Sequence, residues 1–256
     1  MLAFPESVDG KRVFEPFAGS GALGFMALKA GAAHVDFVDV NPRAADFQRD
    51  NAARNNFPAS LLTSITGDIA EFTPEGRYDL ILANPPFVPT PDGIEGTLTS
   101  NGGPEGNRLA EILLARLDEL LEPGGRALIY LFQVTKEGQP LIVEQLTRFV
   151  PRRPVALTPA QERPIPFEVY GEAYRRLFPE AVEAIDRWCS DLAERWGRHL
   201  ALSHYVVDMG PQSEGPSGCV IREDFAEKFG ESFLAPFESD EKLAFARVFE
   251  NFVPDS

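Results

Sequence analysis

Cysteine and long apolar runs are scarce in this sequence. Two cysteines, Cys189 and Cys219, occur in 256 residues; this is too few for a disulfide framework, and neither has the spacing of a metal ligand. We therefore expect buried free thiols and no metal site. The apolar runs are far shorter than the ~20 residues of a membrane span, and the acidic residues Glu6 and Asp9 behind Met1 do not fit a signal peptide. These features predict a cytoplasmic protein without membrane association.

Positive charge is also scarce. The chain has 24 Lys and Arg residues against 39 Asp and Glu residues, which gives a formal net charge of −15. Proteins that bind nucleic acid usually contact its phosphates through surface Lys and Arg, so this balance disfavours nucleic acid as a partner. The remaining composition, with 44% hydrophobic and 25% charged residues, is typical of a globular protein. A length of 256 residues allows one large domain, or one domain with a substantial elaboration.

Short apolar segments alternate with helical patterns through the first 150 residues. The predicted strands are 12–18, 35–40, 62–66, 80–83 and 127–132. Strands that alternate with helices at this spacing predict a mostly parallel, doubly wound α/β sheet.

The pattern changes after residue 150. Aromatic residues recur at helical spacing over 167–178 and 182–196, a pattern typical of core packing, with a cap over a substrate as the alternative. Whether a strand lies near 154–157 stays open. The loop 88–107 is too long for a simple connector, and we predict that it is an active-site lid.

The last part of the chain is predicted to complete the same domain. Residues 200–208 and 217–222 are expected to form an antiparallel β-hairpin, followed by a helix from Ser239 to about Phe252. The predicted organisation is a core over 1–150, a helical substrate-covering insertion over 151–199, and the closing hairpin and helix over 200–256.

The predicted strand 80–83 ends in an unusual tetrad, Asn84-Pro85-Pro86-Phe87. Its preceding residues are all apolar, as in a central parallel strand covered on both faces. The two prolines lack an N–H group and fix φ, so the strand cannot continue. The carboxamide of Asn84 is therefore expected at the carboxyl end of the sheet, where open α/β folds bind their ligands.

A glycine turn follows the first predicted strand. Gly19, Gly21 and Gly24 match the GxGxxG fingerprint, and Asp39 stands where a ribose-binding acid is expected. These residues alone permit an NAD-dependent oxidoreductase. That alternative gives no role to the tetrad or to Asp68, the acid that ends the third predicted strand.

Four segments stand out together: Glu15-Pro16-Phe17-Ala18-Gly19-Ser20-Gly21, Asp39-Val40-Asn41-Pro42, Gly67-Asp68-Ile69 and the tetrad. In this order they resemble the motifs of class I S-adenosylmethionine-dependent methyltransferases, over about residues 10–150. The tetrad is similar to the (Asn/Asp/Ser)-Pro-Pro-(Tyr/Phe) motif of the branch that methylates nitrogen. That branch includes protein-glutamine methyltransferases. Residues 102–106 of this chain also resemble a glycine-rich segment of those enzymes. The implied fold is a Rossmann-like, mostly parallel, seven-stranded sheet with an antiparallel last strand and a helical insertion.

The resemblance implies that S-adenosylmethionine is the cofactor. The glycine turn would hold its methionine part, with Glu15 near the amino group, Asp39 on the ribose hydroxyls and Asp68 at the adenine amino group. The alternative for each acid is a solvated strand end or a helix cap. The implied cofactor-binding residues are Glu15, Phe17, Ala18, Gly19, Gly21, Asp39, Val40, Asp68, Ile69 and Asn84.

The tetrad suits nitrogen as the methyl acceptor. An amide or aniline-like nitrogen is a poor nucleophile because its lone pair is delocalised. If the Asn84 side-chain oxygen and the Pro85 carbonyl both accept hydrogen bonds from the substrate NH₂, they orient it and favour pyramidalisation. Phe87 would stack on the planar substrate group. The candidate catalytic residues are thus Asn84, Pro85 and Phe87, with no general base.

The expected activity is N-methylation of an amide or amine on a small molecule, peptide or protein. Glutamine-modifying relatives usually carry a helical domain before the first motif, whereas the first predicted strand here begins at Arg12, which disfavours a release-factor substrate. Release-factor-type glutamine methylation, methylation of an exocyclic amine on nucleic acid, and a non-catalytic cofactor-binding module stay as alternatives. The histidines, His34, His199 and His204, are expected to be structural or exposed.

Overall fold

The computed structural model describes residues 7–94, 100–160 and 164–222. The strands are β1 (Arg12–Pro16), β2 (His34–Asp39), β3 (Leu62–Thr66), β4 (Tyr78–Ala83), β5 (Leu121–Lys136), β6 (Gln139–Pro140), β7 (Val155–Pro159), β8 (Ile165–Pro166), β9 (Leu200–Met209) and β10 (Cys219–Ile221). The helices are α1 (Ala22–Lys29), α2 (Arg43–Arg54), α3 (Arg108–Leu120), α4 (Ile142–Phe149), α5 (Phe167–Leu177) and α6 (Val182–Trp196), with 3₁₀ turns at Ala59–Leu61 and Pro179–Ala181.

All of these strands belong to one sheet, in the order β10-β7-β9-β5-β4-β1-β2-β3, with β6 beside β5 and β8 beside β9. From β3 to β5 the neighbouring strands run parallel. β9 is antiparallel to both of its long neighbours, β5 and β7. This topology confirms the predicted Rossmann-like α/β fold. Within the described ranges the sheet has ten strands, where seven were expected, because β6, β8 and β10 add short ladders.

The strand order reverses between β1 and β4, which are neighbours although β2 and β3 separate them in the chain. At such a switch point the connections leave in opposite directions, so a crevice opens at the carboxyl ends of the two strands. The glycine turn follows β1 and the tetrad follows β4. Both candidate segments therefore flank this crevice.

The predicted closing hairpin is wrong. β9 and β10 do not pair with each other, because β7 lies between them, antiparallel to β9 and parallel to β10. The segment between them crosses to the far side of β7, and the backbone N–H groups of Gln212 and Ser217 donate to the carbonyls of Pro123 and Pro151, both at 2.7 Å. The predicted helix at 239–252 lies outside the described residues.

The predicted helical region 151–199 is helical only in part. It begins with β7, which settles the open question of a strand near 154–157, and its helices are α5 and α6. α4 was not predicted; its buried residues, Ile142 and Leu146, are four positions apart on one face. The division of the chain into a core and a substrate-covering insertion stays a prediction.

Three groups of buried residues form the core. The first lies between the sheet and α3 with α4, and the second between the sheet and α1. The third joins the upper parts of β5 and β9 to α5 and α6, and it contains Tyr170, Tyr174 and Trp188. The aromatic residues of the helical pair are therefore core residues, as expected. Within the described ranges, no helix is both long and apolar enough to cross a membrane.

Candidate active site

The glycine turn joins β1 to α1 through left-handed backbone conformations. Phe17 has φ 57°, Gly19 φ 48° and Gly21 φ 79°. A Cβ atom on Gly21 would lie 2.9 Å from the ring of Phe25, whereas one on Gly19 would meet no atom within 4 Å. The turn is thus closely packed on its protein side and open at Gly19, where a ligand can approach the backbone.

Asp39 connects the end of β2 to this turn. Its Oδ2 accepts a hydrogen bond from the Gly19 N–H at 2.7 Å, and its Oδ1 accepts one from the Asn41 N–H at 2.8 Å. From α2, the Gln48 side chain donates to the carbonyl of Gly19 at 2.9 Å. Each carboxylate oxygen has a second lone pair, and Asp39 is only partly buried, so it can still accept hydrogen bonds from ligand hydroxyls.

Glu15 lies beneath the first turn of α1, with 3% of its surface exposed. Its two carboxyl oxygens accept hydrogen bonds from the N–H groups of Leu23 and Gly24, at 3.3 and 2.5 Å. Burial raises the pKa of Glu15 to about 8, although these two hydrogen bonds act in the opposite direction. A Cβ on Gly24 would lie 2.7 Å from Glu15 Oε2. The third glycine of the fingerprint therefore makes room for Glu15.

The end of β3 contributes an exposed acid and a buried apolar residue. Asp68 Oδ1 accepts a hydrogen bond from the Ala70 N–H at 2.8 Å, and the Gly67 N–H donates to the Asp39 carbonyl at 3.0 Å. Ile69 is 4% exposed, whereas the Val40 side chain, which follows Asp39, is 52% exposed. An exposed apolar side chain beside two acids is a suitable surface for a flat ring that carries hydrogen-bond donors.

The tetrad places one polar side chain at the crevice. Pro85 is buried and Asn84 is exposed, and within the described part of the chain no hydrogen bond to the Asn84 side chain is found. Phe87 is half-buried; its ring meets the ring of Tyr130 edge-on, with centroids 5.7 Å apart. The Asn84 amide is therefore free to bind a ligand.

The described parts of the predicted lid pack against the tetrad. The Val88 N–H donates to the Ser100 carbonyl at 2.8 Å, and the Gly102 N–H donates to the Val88 carbonyl at 3.0 Å. A Cβ on Gly102 would lie 2.8 Å from the Phe87 Cα, and one on Gly106 would lie 2.4 Å from the Phe87 carbonyl oxygen. Glycine is needed at these two positions because the segment packs directly on the backbone of the tetrad, where a Cβ atom has no room. A lid movement stays a prediction.

The helical pair α5–α6 holds this loop through polar tips of aromatic side chains. The hydroxyls of Tyr170 and Tyr174 both donate to the Pro89 carbonyl at 3.0 Å, and the Trp188 indole donates to the Pro104 carbonyl at 2.9 Å. These contacts were not predicted from the sequence. The available signal was the Tyr and Trp content of an otherwise apolar face, since buried Tyr and Trp usually need a hydrogen-bond partner.

Two further residues beside the tetrad were also missed. Tyr130, on β5, and His204, on β9, stack with ring centroids 5.3 Å apart, and Phe87 meets both rings edge-on. Burial lowers the pKa of His204 to about 4. The other two histidines lie elsewhere: His34 bonds to Asp36 near the start of β2, and His199 is exposed.

The residues at the crevice fit S-adenosylmethionine. A Cβ atom added to Gly19 or to Gly67 would meet no atom within 4 Å. There is therefore open space beyond the carboxyl ends of β1 and β3. Partly exposed carboxylates and a free amide face the same edge. No group of three or more His, Cys, Asp or Glu side chains that could hold a metal is found among the described residues.

Comparison with known proteins identifies relatives for much of the chain. The family described as "Methyltransferase small domain" matches residues 2–142. A protein of Methanocaldococcus jannaschii named "Putative protein N5-glutamine methyltransferase" is 31% identical over 138 residues, which cover 52% of this chain and 68% of that protein. A ribosomal RNA large subunit methyltransferase I of Photobacterium profundum is 32% identical over 129 residues, 48% of this chain and 30% of that protein.

Other relatives match shorter parts. A ribosomal protein L11 methyltransferase of Marinobacter nauticus is 42% identical over 79 residues, 31% of this chain and 26% of that protein. The matched part of this chain spans between 25% and 38% of the ribosomal RNA and L11 enzymes that it resembles. Among solved structures, phosphoethanolamine N-methyltransferase 2 of Haemonchus contortus is 15% identical with a TM-score of 0.49, over 82% of this chain and 50% of that one. Because the family match covers more than half of the sequence, the chain belongs to the methyltransferase small domain family and is an S-adenosylmethionine-dependent methyltransferase.

Proposed function

We propose that this protein methylates the side-chain amide nitrogen of glutamine in a protein or peptide. The observation that carries the proposal is the exposed carboxamide of Asn84, which directly follows β4 at the crevice and has no hydrogen-bond partner within the described residues. A relative named as a protein N5-glutamine methyltransferase, of which this chain covers 68%, supports an amide acceptor.

The cofactor would lie across the carboxyl ends of β1, β2 and β3. It supplies a methyl group activated by a positively charged sulfur. In this proposal the open side of the turn at Gly19 approaches its methionine part, the remaining lone pairs of Asp39 accept the ribose hydroxyls, and Asp68 accepts the adenine amino group beside Val40. The oxygens of Glu15 accept hydrogen bonds from N–H groups of α1, so Glu15 would position the turn, and its place near the cofactor amino group stays a prediction.

The acceptor would be held by the tetrad. The side-chain oxygen of Asn84 and the carbonyl of Pro85 accept the two N–H bonds of the substrate amide, which directs the nitrogen lone pair towards the methyl group. The N–CH₃ bond forms as the S–CH₃ bond breaks, and S-adenosylhomocysteine is the leaving product. The amide proton then leaves to water, because the methylated, positively charged nitrogen is strongly acidic, so the site needs no strong base.

Methyl transfer from labelled cofactor tests this proposal. Purified protein is given peptides that contain a single glutamine, matched asparagine and lysine peptides, and ribosomal RNA. We expect label only in the glutamine peptides, recovered as N5-methylglutamine after enzymatic digestion and as methylamine after acid hydrolysis. Label confined to ribosomal RNA would overturn the proposal.

An alanine variant assigns the transfer to the tetrad. We expect Asn84→Ala to lower the transfer rate by at least about 100-fold, since removing a donor or acceptor from the reacting centre costs about 2.7–4 kcal/mol, while S-adenosylhomocysteine still binds. Asn55→Ala, an exposed amide at the C-terminus of α2, is the matched control and should retain the wild-type rate. Equal activity of the two variants would exclude the proposed role of Asn84.

Nucleic acid is the second candidate substrate. A ribosomal RNA methyltransferase matches 48% of this chain, and the tetrad would suit an exocyclic base amine as well as an amide. The net charge of −15 opposes this candidate. The ribosomal RNA arm of the transfer experiment distinguishes the two.

A further inference from the structure

Tyr130 lies beside Asn84 at the carboxyl edge of the sheet. β4 and β5 pair in parallel, with Leu82 opposite Leu128 and Ala83 opposite Ile129. The residues that come next along the two strands, Asn84 and Tyr130, therefore lie opposite each other. Leu82 and Leu128 both pack on the same cluster of core residues. Side chains alternate between the two faces of a strand, so Asn84 and Tyr130, two positions further on, face the same side.

β5 continues beyond the end of β4 and pairs there with β9, which places more rings beside Tyr130. His204 is the ladder partner of Phe132, and its ring stacks on Phe132 and on Tyr130, with centroids 4.4 and 5.3 Å away. The ring of Phe87 meets those of Tyr130 and His204 edge-on, at 5.7 and 6.1 Å. These four rings are called the aromatic wall: Phe87, Tyr130, Phe132 and His204.

The aromatic wall is neutral but carries polar atoms without protein partners. Burial lowers the pKa of His204 to about 4 and raises the pKa of Tyr130, so both side chains are uncharged at pH 7. Within the described ranges, His204 Nδ1 is buried without a hydrogen bond, and none is found for the Tyr130 hydroxyl. Phe132 is 4% exposed, whereas Phe87, Tyr130 and His204 are partly exposed. A ligand at Asn84 can therefore reach these three rings of the wall.

We infer that the aromatic wall binds the acceptor side chain and selects a neutral amide over a cationic amine. This inference rests on the proposed function and specifies how its acceptor is chosen. The methylene groups of a glutamine side chain would lie on the rings of Tyr130 and His204 while its amide reaches Asn84. A lysine ammonium in the same place would gain a cation–π attraction of about 0.5–2 kcal/mol from the rings. It would gain no carboxylate on the wall, and the loss of its hydration costs several kcal/mol, about twice that attraction or more.

Binding of two small probes tests the inference without any transfer step. Protein saturated with S-adenosylhomocysteine is titrated with N-acetyl-L-glutamine methylamide and with N-acetyl-L-lysine methylamide, and binding is followed by saturation-transfer NMR. We expect the glutamine probe to bind at least about tenfold more tightly than the lysine probe, a difference of about 1.4 kcal/mol. Equal binding of the two probes, or no binding of the glutamine probe, would overturn the inference.

Variants of the aromatic wall show whether the rings cause this selectivity. We expect Tyr130→Ala to weaken the glutamine probe about tenfold and Tyr130→Phe to weaken it less than threefold, while the affinity for S-adenosylhomocysteine stays within twofold. Phe149→Ala, which removes a partly buried ring at the C-terminus of α4, is the control and should bind as the wild type. His204→Leu provides a second test if Tyr130→Ala does not fold, as judged by its circular dichroism.

The outcomes separate the inference from the proposed function. Unchanged probe binding in Tyr130→Ala and His204→Leu, with methyl transfer to glutamine intact, would reject the aromatic wall and retain the activity. Selective probe binding that depends on Tyr130, without transfer to any glutamine peptide, would reject the proposed function and support the wall as an amide-binding surface.

Discussion

The carboxylate of Asp39 accepts a hydrogen bond from the backbone N–H of Gly19 at 2.7 Å. The last residue of β2 thereby fixes the turn that follows β1, although the two are distant in the chain. The same residue is also partly exposed at the crevice. Asp39 thus orients the turn and can also contact a ligand, so replacing it should affect cofactor binding in two ways.

Asp39→Ala should weaken binding of S-adenosylhomocysteine by about 10- to 100-fold. Hydrogen bonds to a charged group are worth about 1.5–3 kcal/mol, and the variant also removes the acceptor that holds the Gly19 N–H. Isothermal titration calorimetry measures the affinity. Asp46→Ala, whose carboxylate forms an exposed ion pair with Arg49, is the control. If both variants bind the product cofactor equally well, Asp39 has no part in the cofactor site.

Glu15→Gln should change how stability depends on pH. The pKa of Glu15 in the folded protein is about 8, above its ordinary value of 4.5, so the folded state retains this proton more strongly than the unfolded state. The contribution of Glu15 to stability is therefore complete below pH 4.5 and is lost as pH rises towards 8. Between these values the wild type should lose up to about 1.4 kcal/mol per pH unit relative to the variant.

Urea unfolding of the cofactor-free protein at pH 5, 6, 7 and 8 measures this difference. Glu119→Gln, which removes an exposed carboxylate paired with Arg116, should follow the wild-type curve. Parallel curves for Glu15→Gln and the wild type would show that the buried carboxyl titrates normally.

Trp188→Phe should loosen the loop after the tetrad. The variant keeps an aromatic ring in the core but removes the N–H that donates to the Pro104 carbonyl. Because Pro104 is exposed, water can replace the lost donor, and the loss should cost about 0.5–1.5 kcal/mol. Hydrogen exchange should accelerate at the amides of Thr90 and Gly102, which bond across the loop, and stay unchanged at those of β1. Val169→Ala, an exposed position on α5, is the control; equal exchange in both variants would contradict the role of Trp188.

Local pattern was sufficient for the first half of the fold. The bounds predicted for β3 agree with the structure, and those of β1, β2 and β4 agree within two residues. Apolar runs that end in Gly, Asp-Val-Asn-Pro or Asn-Pro-Pro specify a strand and its end locally. The motif order likewise led to the methyltransferase family, which the match over residues 2–142 confirms. The same match sets aside the oxidoreductase and non-catalytic alternatives.

Sequence pattern failed where pairing is distant. The segments that form β9 and β10 resemble a hairpin because they are close in the chain, but β7 lies between them in the sheet and pairs with both. β5 extends beyond the predicted 127–132 at both ends, and its C-terminal half has β9, some 70 residues away, as its main partner. Which strands pair over such distances depends on which strand edges remain unpaired once the rest of the sheet has formed.

The sequence by itself determined the glycine turn, the acids at the ends of β2 and β3, and the tetrad, because each is a short segment whose backbone and chemistry are local. Only the tertiary structure decided what surrounds Asn84. Tyr130 and His204 have no local motif and meet through the antiparallel pairing of β5 with β9. The hydrogen bonds that Glu15 accepts from the first turn of α1 likewise depend on how α1 packs on β1.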